Sequence, residues 1–530
     1  MPDAFAGTGT LLRLAIRRDR WLLPAWVLAL AAMAGFSASA TANLYPDISS
    51  RVDAAEVINA TPSLVALYGR VYDPTSIGSL ALIKLTALGA AMVAVLMIVV
   101  TVRHTRAEEA AGRLELLSAG VVGRAAPLAA ALTLTLGASV ALGLLTAAAL
   151  IVAGLPAVGA TAFGLGWAAA GIAFSALAAV TAQVTTGSRA ATGLAIVGLA
   201  VAYLLRAVGD TPDSGPSALT WLSPIGWTQQ VRPFAGDRLA LLLLPVLLAI
   251  VLVAISFELR ARRDLGAGMI AERSGPARGD ITNTWGLAVQ LNRGVLVFWG
   301  VAMILFGVLL GSLTSSVSGM LDSPAMRDFF ESLGGEQGIV NAFLSAELAI
   351  VGSIVAAFGI QAAGHLRAEE TAGRAEVVLA TATSRLRWAN GLFGVALGGV
   401  ALLMLLVGLA LGVGHALDVG NTSMIGDLVL ASLARIPAAW ILTALVMAVF
   451  GWAPQLTGLV WGLYAASVVL VELGALWNLP SWMMDLSPFT HSPKLPGATG
   501  VIVPLITLTT CAGLLAAIGY VGWSRRDLTP

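Results

Sequence analysis

The sequence predicts an all-α integral membrane protein of about 12 transmembrane helices, built as two tandem six-helix halves of the same orientation. Three observations predict it. Of 530 residues, 58% are hydrophobic and 11% charged, and the mean hydropathy is +0.88, which leaves too little polar surface to cover a soluble core of this size. Apolar runs long enough to cross a hydrocarbon core of about 30 Å recur along the whole chain. The densest charge cluster, Arg106-Ala107-Glu108-Glu109-Ala110-Ala111-Gly112-Arg113-Leu114-Glu115, returns as Arg367-Ala368-Glu369-Glu370-Thr371-Ala372-Gly373-Arg374-Ala375-Glu376, a shift of 261 and close to half the chain.

Other landmarks repeat with it. Leu222-Ser223-Pro224 recurs as Leu486-Ser487-Pro488 at a shift of 264, and Arg262-Arg263-Asp264-Leu265 as Arg525-Arg526-Asp527-Leu528 at 263. The entry segments from Leu14 to Trp26 and from Leu287 to Trp299 match more loosely at 273. The halves are therefore assigned to residues 1–264 and 287–530, joined by 265–286, a Gly- and Pro-containing cytoplasmic linker with no apolar face to bury.

Taken in order, residues 11–20 set Arg13, Arg17 and Arg20 on one helical face and Leu11, Leu12, Leu14, Ala15 and Ile16 opposite, the pattern of a helix lying on the membrane surface. The apolar run that follows lacks a convincing cleavage site and reads as a retained first span. Spans are expected near 21–41, 79–102, 127–154, 161–185, 190–208 and 239–258, then near 295–315, 343–363, 391–414, 428–451, 455–476 and 500–522. Cytoplasmic flanks carry the excess of Arg and Lys. In the first half the proposed inner flanks hold 12 Arg against four outside, Arg51, Arg70, Arg232 and Arg238. Both termini and the linker are thus expected in the cytoplasm, at the plasma membrane. Because six is even, the halves are related by an axis along the membrane normal, with a pathway between them the natural place for a substrate. Longer polar outer segments follow the first span of each half, at 42–78 and 316–342. The Leu-Ser-Pro motifs open a second outer segment, either dipping into the outer leaflet or forming an ordinary loop.

Read as one helix, 106–118 sets Glu108, Gly112 and Glu115 along one face, pairs Glu109 with Arg113 on the flank, and leaves Ala110, Leu114 and Leu117 as an apolar stripe. Fixing topology needs positive charge but not a repeated order of Arg, Glu and Gly. A short acidic helix just inside the membrane suits docking into a groove on a soluble partner.

These residues carry a resemblance. The string Arg-x-Glu-Glu-x-x-Gly-Arg-x-Glu, followed by small and apolar residues and then Arg124 or Arg385, resembles the segment after the second span in permeases of ATP-binding-cassette exporters of the second type. The Leu-Ser-Pro motifs, six-span halves and fused double length resemble the antibiotic-exporter branch that includes tetronasin-resistance permeases of actinobacteria. The resemblance covers essentially the whole chain. It implies that Arg106, Glu108, Glu109, Gly112, Arg113 and Glu115, with Arg367, Glu369, Glu370, Gly373, Arg374 and Glu376, form two coupling helices gripped by two copies of a separate cassette ATPase. ATP and magnesium would sit on that partner, and the cargo would be an amphipathic small molecule. One departure is Gly123 and Ser384 where such motifs often have Pro before the Arg. The chain has no phosphate-binding loop of its own, since neither of its two Lys, Lys84 and Lys494, ends a Gly-rich turn.

Lys84, Arg206, Glu347, Arg435 and Glu472 fall inside predicted spans. An ionisable group there costs about 2.5–3.5 kcal/mol at the centre and faces protein or water, so all five are candidates for a substrate path. Lys84, Arg206 and Glu472 read first as side chains snorkelling to the interface. Lys84 and Glu347 occupy near-equivalent positions, where an ion pair across the pseudo-axis is one arrangement. Arg435, deeper and followed by Pro437, is the stronger functional candidate. His104 and His365 are equivalent and read as interfacial anchors. A net charge of +1 argues against a nucleic-acid partner, and the single Cys511 allows neither a disulfide within the chain nor a cysteine metal site. No nucleophile, carboxylate pair or metal cluster points to an enzyme. A secondary transporter of the major facilitator type also has six plus six spans, but the long outer segment and the missing loop signature between its second and third spans speak against it.

Overall fold

The fold was obtained as a computed structural model, which describes residues 2–60, 62–118, 122–212, 215–264, 266–270, 281, 283–312, 335–474, 477, 479–496 and 500–528. Among them every regular element is a helix. The chain divides into two compact units, Met1–Gly275 and Pro276–Pro530. The division falls inside the expected linker, of which residues 265, 271–280 and 282 lie outside the described residues, as do 313–334, which include most of the outer segment expected at 316–342.

The first unit runs α1 (Thr8–Arg18), α2 (Leu22–Leu44), α3 (Ile48–Ala60), α4 (Pro62–Tyr68), α5 (Ile77–Ala81), α6 (Ile83–Arg103), α7 (Arg106–Ala110), α8 (Arg113–Ser118), α9 (Ala126–Val152), α10 (Ala157–Val184), α11 (Ser188–Asp210), α12 (Ala218–Trp221), α13 (Pro224–Gln230) and α14 (Leu243–Arg262). The second runs α15 (Thr284–Gly311), α16 (Gly335–Ala363), α17 (His365–Thr371), α18 (Arg374–Leu379), α19 (Arg385–Val419), α20 (Ile425–Leu433), α21 (Ile436–Trp452), α22 (Leu459–Leu473), α23 (Ser481–Met484) and α24 (Ile502–Arg525).

In the first unit α10 is the central post, packed against α6, α9, α11 and α14. Small residues make this contact close: a Cβ on Gly143 of α9 would stand 2.6 Å from the Gly164 carbonyl oxygen of α10. Helices in lipid gain no hydrophobic drive from each other, so such backbone approach is how they associate. In the second unit α19 packs along α15 and α16, and α21 along α24, where a Cβ on Gly451 would meet the Gly519 carbonyl oxygen at 2.2 Å.

Among the described residues eleven helices are long and apolar enough to cross a membrane, so the chain is a multi-pass membrane protein. Three spans differ from expectation. The expected span 455–476 shortens to α22, 15 residues and so about 22 Å, because Pro454 and Gly458 precede it and Gly474 follows. The span expected at 428–451 is broken at Ala434-Arg435 into α20 and α21, since Pro437 lacks the amide hydrogen and crowds the preceding turn. The span expected at 391–414 instead extends as α19 over 35 residues, about 52 Å.

The polar segment 42–78 folds into α3, α4 and α5, and Arg206 holds it down. Arg206 is wholly buried and donates to the Leu67 carbonyl at 3.1 Å and the Val65 carbonyl at 3.5 Å. Its guanidinium lies 4.4 Å from the centre of the Tyr203 ring, and the Tyr203 hydroxyl also donates to the Leu67 carbonyl. Arg206 therefore does not snorkel; it satisfies the carbonyls that end α4. The Leu-Ser-Pro motifs are likewise seated on helices. Ser223 is buried, donates to the Ala202 carbonyl of α11 at 2.6 Å and accepts from the Gly226 amide, starting α13 amid α6, α10, α11 and α14. Buried Ser487 donates to the Ser467 carbonyl of α22 at 3.4 Å.

Losing the Arg206 contacts leaves buried carbonyls unpaired, at a cost of about 1–3 kcal/mol per group. Arg206→Ala should loosen α3 and α4, and trypsin cleavage at Arg51 and Arg70 of the detergent-solubilised protein should accelerate while cleavage at Arg189 does not.

Candidate functional site

The acidic repeat is an elbow in both units, not the single straight helix expected. α7 ends at Ala110 and α8 starts at Arg113, and the turn between them needs Gly112 at φ +70°. Gly373 does the same at φ +69° between α17 and α18. A side chain at either would meet open space, so the glycine answers to the left-handed backbone and not to crowding.

The two adjacent glutamates, both on the helix before the bend, take different arginine partners. Glu109 turns inward and is buried, and its carboxylate accepts both Arg263 nitrogens, Nη1 and Nη2, at 2.6 Å each. It also accepts the Gly266 amide at 2.7 Å and pairs with buried Arg106 at 2.9 Å, while Arg260 stands 3.8 Å away. Glu370 repeats this. It is buried, accepts Arg526 Nη1 and Nη2 at 2.6 and 2.8 Å, and pairs with Arg367 at 3.2 Å. Arg113 therefore does not pair with Glu109, as expected from a straight helix. It makes two hydrogen bonds with Glu108, at 2.7 and 2.9 Å, and Arg374 does so with Glu369, at 2.7 Å each. These charge-assisted contacts hold the Arg113 and Arg374 guanidiniums above their ordinary pKa, so both stay charged. Glu108 is also gripped by Arg18 of α1. Glu115 and Glu376 are exposed on α8 and α18; of the expected apolar stripe, Ala110 is exposed, Leu114 is buried, and the Leu117 side chain lies outside the described residues.

Arg263 and Arg526 were landmarks of the repeat without a role, and they are what the elbows grip. Each sits just beyond the last span of its unit, α14 or α24. Around them the units differ. Arg263 donates to the buried Gln183 side chain at 2.8 Å, whereas Arg526 lies 4.8 Å from the ring centres of both Phe450 and Trp523. The base of the following span is tied in as well: Arg124 donates to the Arg263 carbonyl, and Arg385 to the Arg526 carbonyl at 2.5 Å. Arg260 and Trp523, equivalent at a shift of 263, return the tie by donating to the carbonyls of Arg124 and Arg385 at 3.3 and 3.2 Å.

The entry helix is fastened to the same place. His104 meets Asp19 at 2.5 Å, and Arg103 meets it at 3.1 Å. In the second unit His365 meets Asn292 at 2.9 Å. Asp19 and Asn292 are related by the 273 shift of the entry segments, a signal available in the sequence but not read as a contact.

The remaining candidates are dispersed. Buried Arg435 stands at the break between α20 and α21 and donates to the carbonyl and hydroxyl oxygens of Ser345, at 2.9 Å each. Glu347 is buried one helical turn or less from Ser345 on α16, Glu472 is half-buried near the end of α22, and half-buried Lys84 lies 5.3 Å from the Tyr68 ring centre.

Removing one partner of a buried ion pair costs about 3–5 kcal/mol, because the other charge is left stranded. Glu109 is surrounded by three buried arginines, whereas Arg367 and Arg526 around Glu370 keep 24% and 15% of their side chains exposed. Glu109→Ala should therefore lower the thermal stability of the purified protein more than Glu370→Ala does; the opposite order would contradict the burial argument.

The sequence profile of the family described as "Multidrug efflux system permease Rv1217c, C-terminal domain" matches residues 9–259 and 281–524. The chain is also similar to the multidrug efflux system permease protein Rv1217c of Mycobacterium tuberculosis, with 39% identity over 531 aligned positions that cover 99% of this chain and 96% of the relative. By both the profile and the full-length identity, the chain belongs to the Rv1217c family of multidrug efflux permeases.

Proposed function

We propose that the chain is the membrane-spanning subunit of an ATP-driven exporter in which two copies of a separate cassette ATPase dock at the α7–α8 and α17–α18 elbows. The observation that carries this reading is the duplicated junction: an acidic elbow whose buried glutamate makes a two-pronged arginine contact to the base of the last span in each unit. A docking element has to be rigid at its root and exposed at its tip. Glu109 and Glu370 supply the root, and Glu115, Glu376 and Val377 lie exposed beyond it. A push on the elbow then moves the ends of the spans instead of bending a loop.

The charge asymmetry of the flanks supports placing the elbows, both termini and the connection between the units in the cytoplasm, with the chain in the plasma membrane. ATP and magnesium belong to the partner. The cargo is an amphipathic compound, a drug or a lipid-like molecule, which apolar spans interrupted by a few buried charges would accommodate. Arg435 is the residue of this chain best suited to meet it, because a guanidinium held by one serine at a break in a span costs energy that packing alone does not require. Lys84, Glu347 and Glu472 remain on the proposed path, and Arg206 leaves it for the structural role described above.

The cassette ATPase should co-purify with the chain at two copies per permease. A charge-assisted contact contributes about 1.5–3 kcal/mol, so Glu115→Ala should weaken docking of one copy about ten- to a hundredfold, and Glu376→Ala the other. Changing both should abolish ATP-driven efflux with membrane insertion intact. Full ATPase binding by the double variant, or the absence of any co-purifying ATPase, would overturn the docking reading.

A further inference from the structure

The bases of α15, α19 and α24 enclose an open groove of about 560 Å³ in the second unit. Trp285, Phe393, Leu397 and Tyr520 give it an apolar wall, and Arg387 and Asn390 stand at its mouth, both exposed. No Asp or Glu lines it, and among the described residues Arg387 forms no salt bridge. The groove lies where an apolar helix emerges into charged chain, beside Arg385 and the α17–α18 elbow.

The first unit has the same place, already filled. The 261 shift aligns Ser384, Leu386, Arg387 and Asn390 with Gly123, Ala125, Ala126 and Ala129, and the 263 shift aligns Tyr520 with Phe257. There the chain's own first residues lie across the site. The Ala6 and Ala4 carbonyls accept the amides of Gly123 and Ala125 at 2.9 Å each, and the Phe5 ring stands edge-on to Phe257 with centroids 5.7 Å apart. The covered site carries alanines where the open one carries Arg and Asn. An aromatic wall needs a cover in either unit; in the second the mouth carries a cation, Arg387, that no carboxylate among the described residues neutralises.

We infer that the groove of the second unit holds a phospholipid with an anionic head group. Arg387 and Asn390 donate to the phosphate oxygens, Trp285 sits at head-group depth, and an acyl chain lies along Phe393, Leu397 and Tyr520 in the position that Phe5 takes in the first unit. Arginine binds phosphate through two parallel N–H donors, basic pockets between spans select acidic lipids, and indole rings settle at the membrane interface. A cavity of this volume is within the range of small-ligand sites. The inference does not depend on what energises export.

Native mass spectrometry of the purified full chain, given equal amounts of phosphatidylglycerol and phosphatidylcholine with identical acyl chains, tests it. The unaltered protein should retain phosphatidylglycerol about fivefold over phosphatidylcholine, because both lipids offer the phosphate but the zwitterionic one also brings a choline cation against Arg387. Arg387→Ala/Asn390→Ala should erase that preference, and Arg189→Ala, at an exposed site of the first unit, should leave it intact. Three results would overturn the inference: no preference in the unaltered protein, a preference that survives the double variant, or an equal loss of both lipids in the double variant.

Discussion

A buried carboxylate gripped by both prongs of an arginine, Glu109 on buried Arg263 and Glu370 on half-buried Arg526, is the constraint on which the rest of the structure depends. A carboxylate in a low-dielectric setting is retained only with its charge matched and its lone pairs occupied. Meeting that condition draws the end of the second span of each unit onto the end of the last. The bend at Gly112 or Gly373 then lets the chain leave that contact and start α8 or α18 in a new direction. The ties from Arg124 and Arg385 bring the third span of each unit to the same junction. Three spans and an elbow thus share one root.

The two roots are built from the same plan with different neighbours. In the first unit the arginine is held among polar and charged groups, with Gln183, Arg106 and Arg260 around the pair. In the second it lies against Phe450 and Trp523, and Trp523 stacks in turn on Trp388 with centroids 5.3 Å apart. A polar surround offers alternative hydrogen-bond partners when the pair is pulled, whereas an aromatic one offers none that an arginine could exchange into. The units also differ at the entry helices, where Asp19 in one becomes Asn292 in the other.

Composition, apolar run length and the repeat made most of the fold legible, because the bilayer demands long apolar helices whatever else the chain does. What escaped came from contacts between segments. Glu108 and Glu109 are adjacent and chemically alike, and only the position of Arg263 decides which one turns inward. The 261 and 263 shifts contained that answer, since two motifs that recur together at nearly equal spacing are candidates to touch. Gly112 read as a notch in a helix, yet glycine after a short helical run is a common end signal. The break before α21 was visible in Pro437. No local pattern announced that Arg206 would hold the carbonyls of α4, because that depends on a segment more than a hundred positions away folding back.

The central claim is that the arginine grip transmits force from the elbow to the spans. Its most direct test is the number of ATP molecules hydrolysed per cargo molecule moved when the chain carrying Arg263→Lys/Arg526→Lys is reconstituted with the proposed ATPase partner. Lysine keeps the charge and loses the two-pronged contact. The account predicts that ATPase docking and hydrolysis persist while ATP consumed per cargo rises severalfold. An unchanged ratio with normal transport would contradict it.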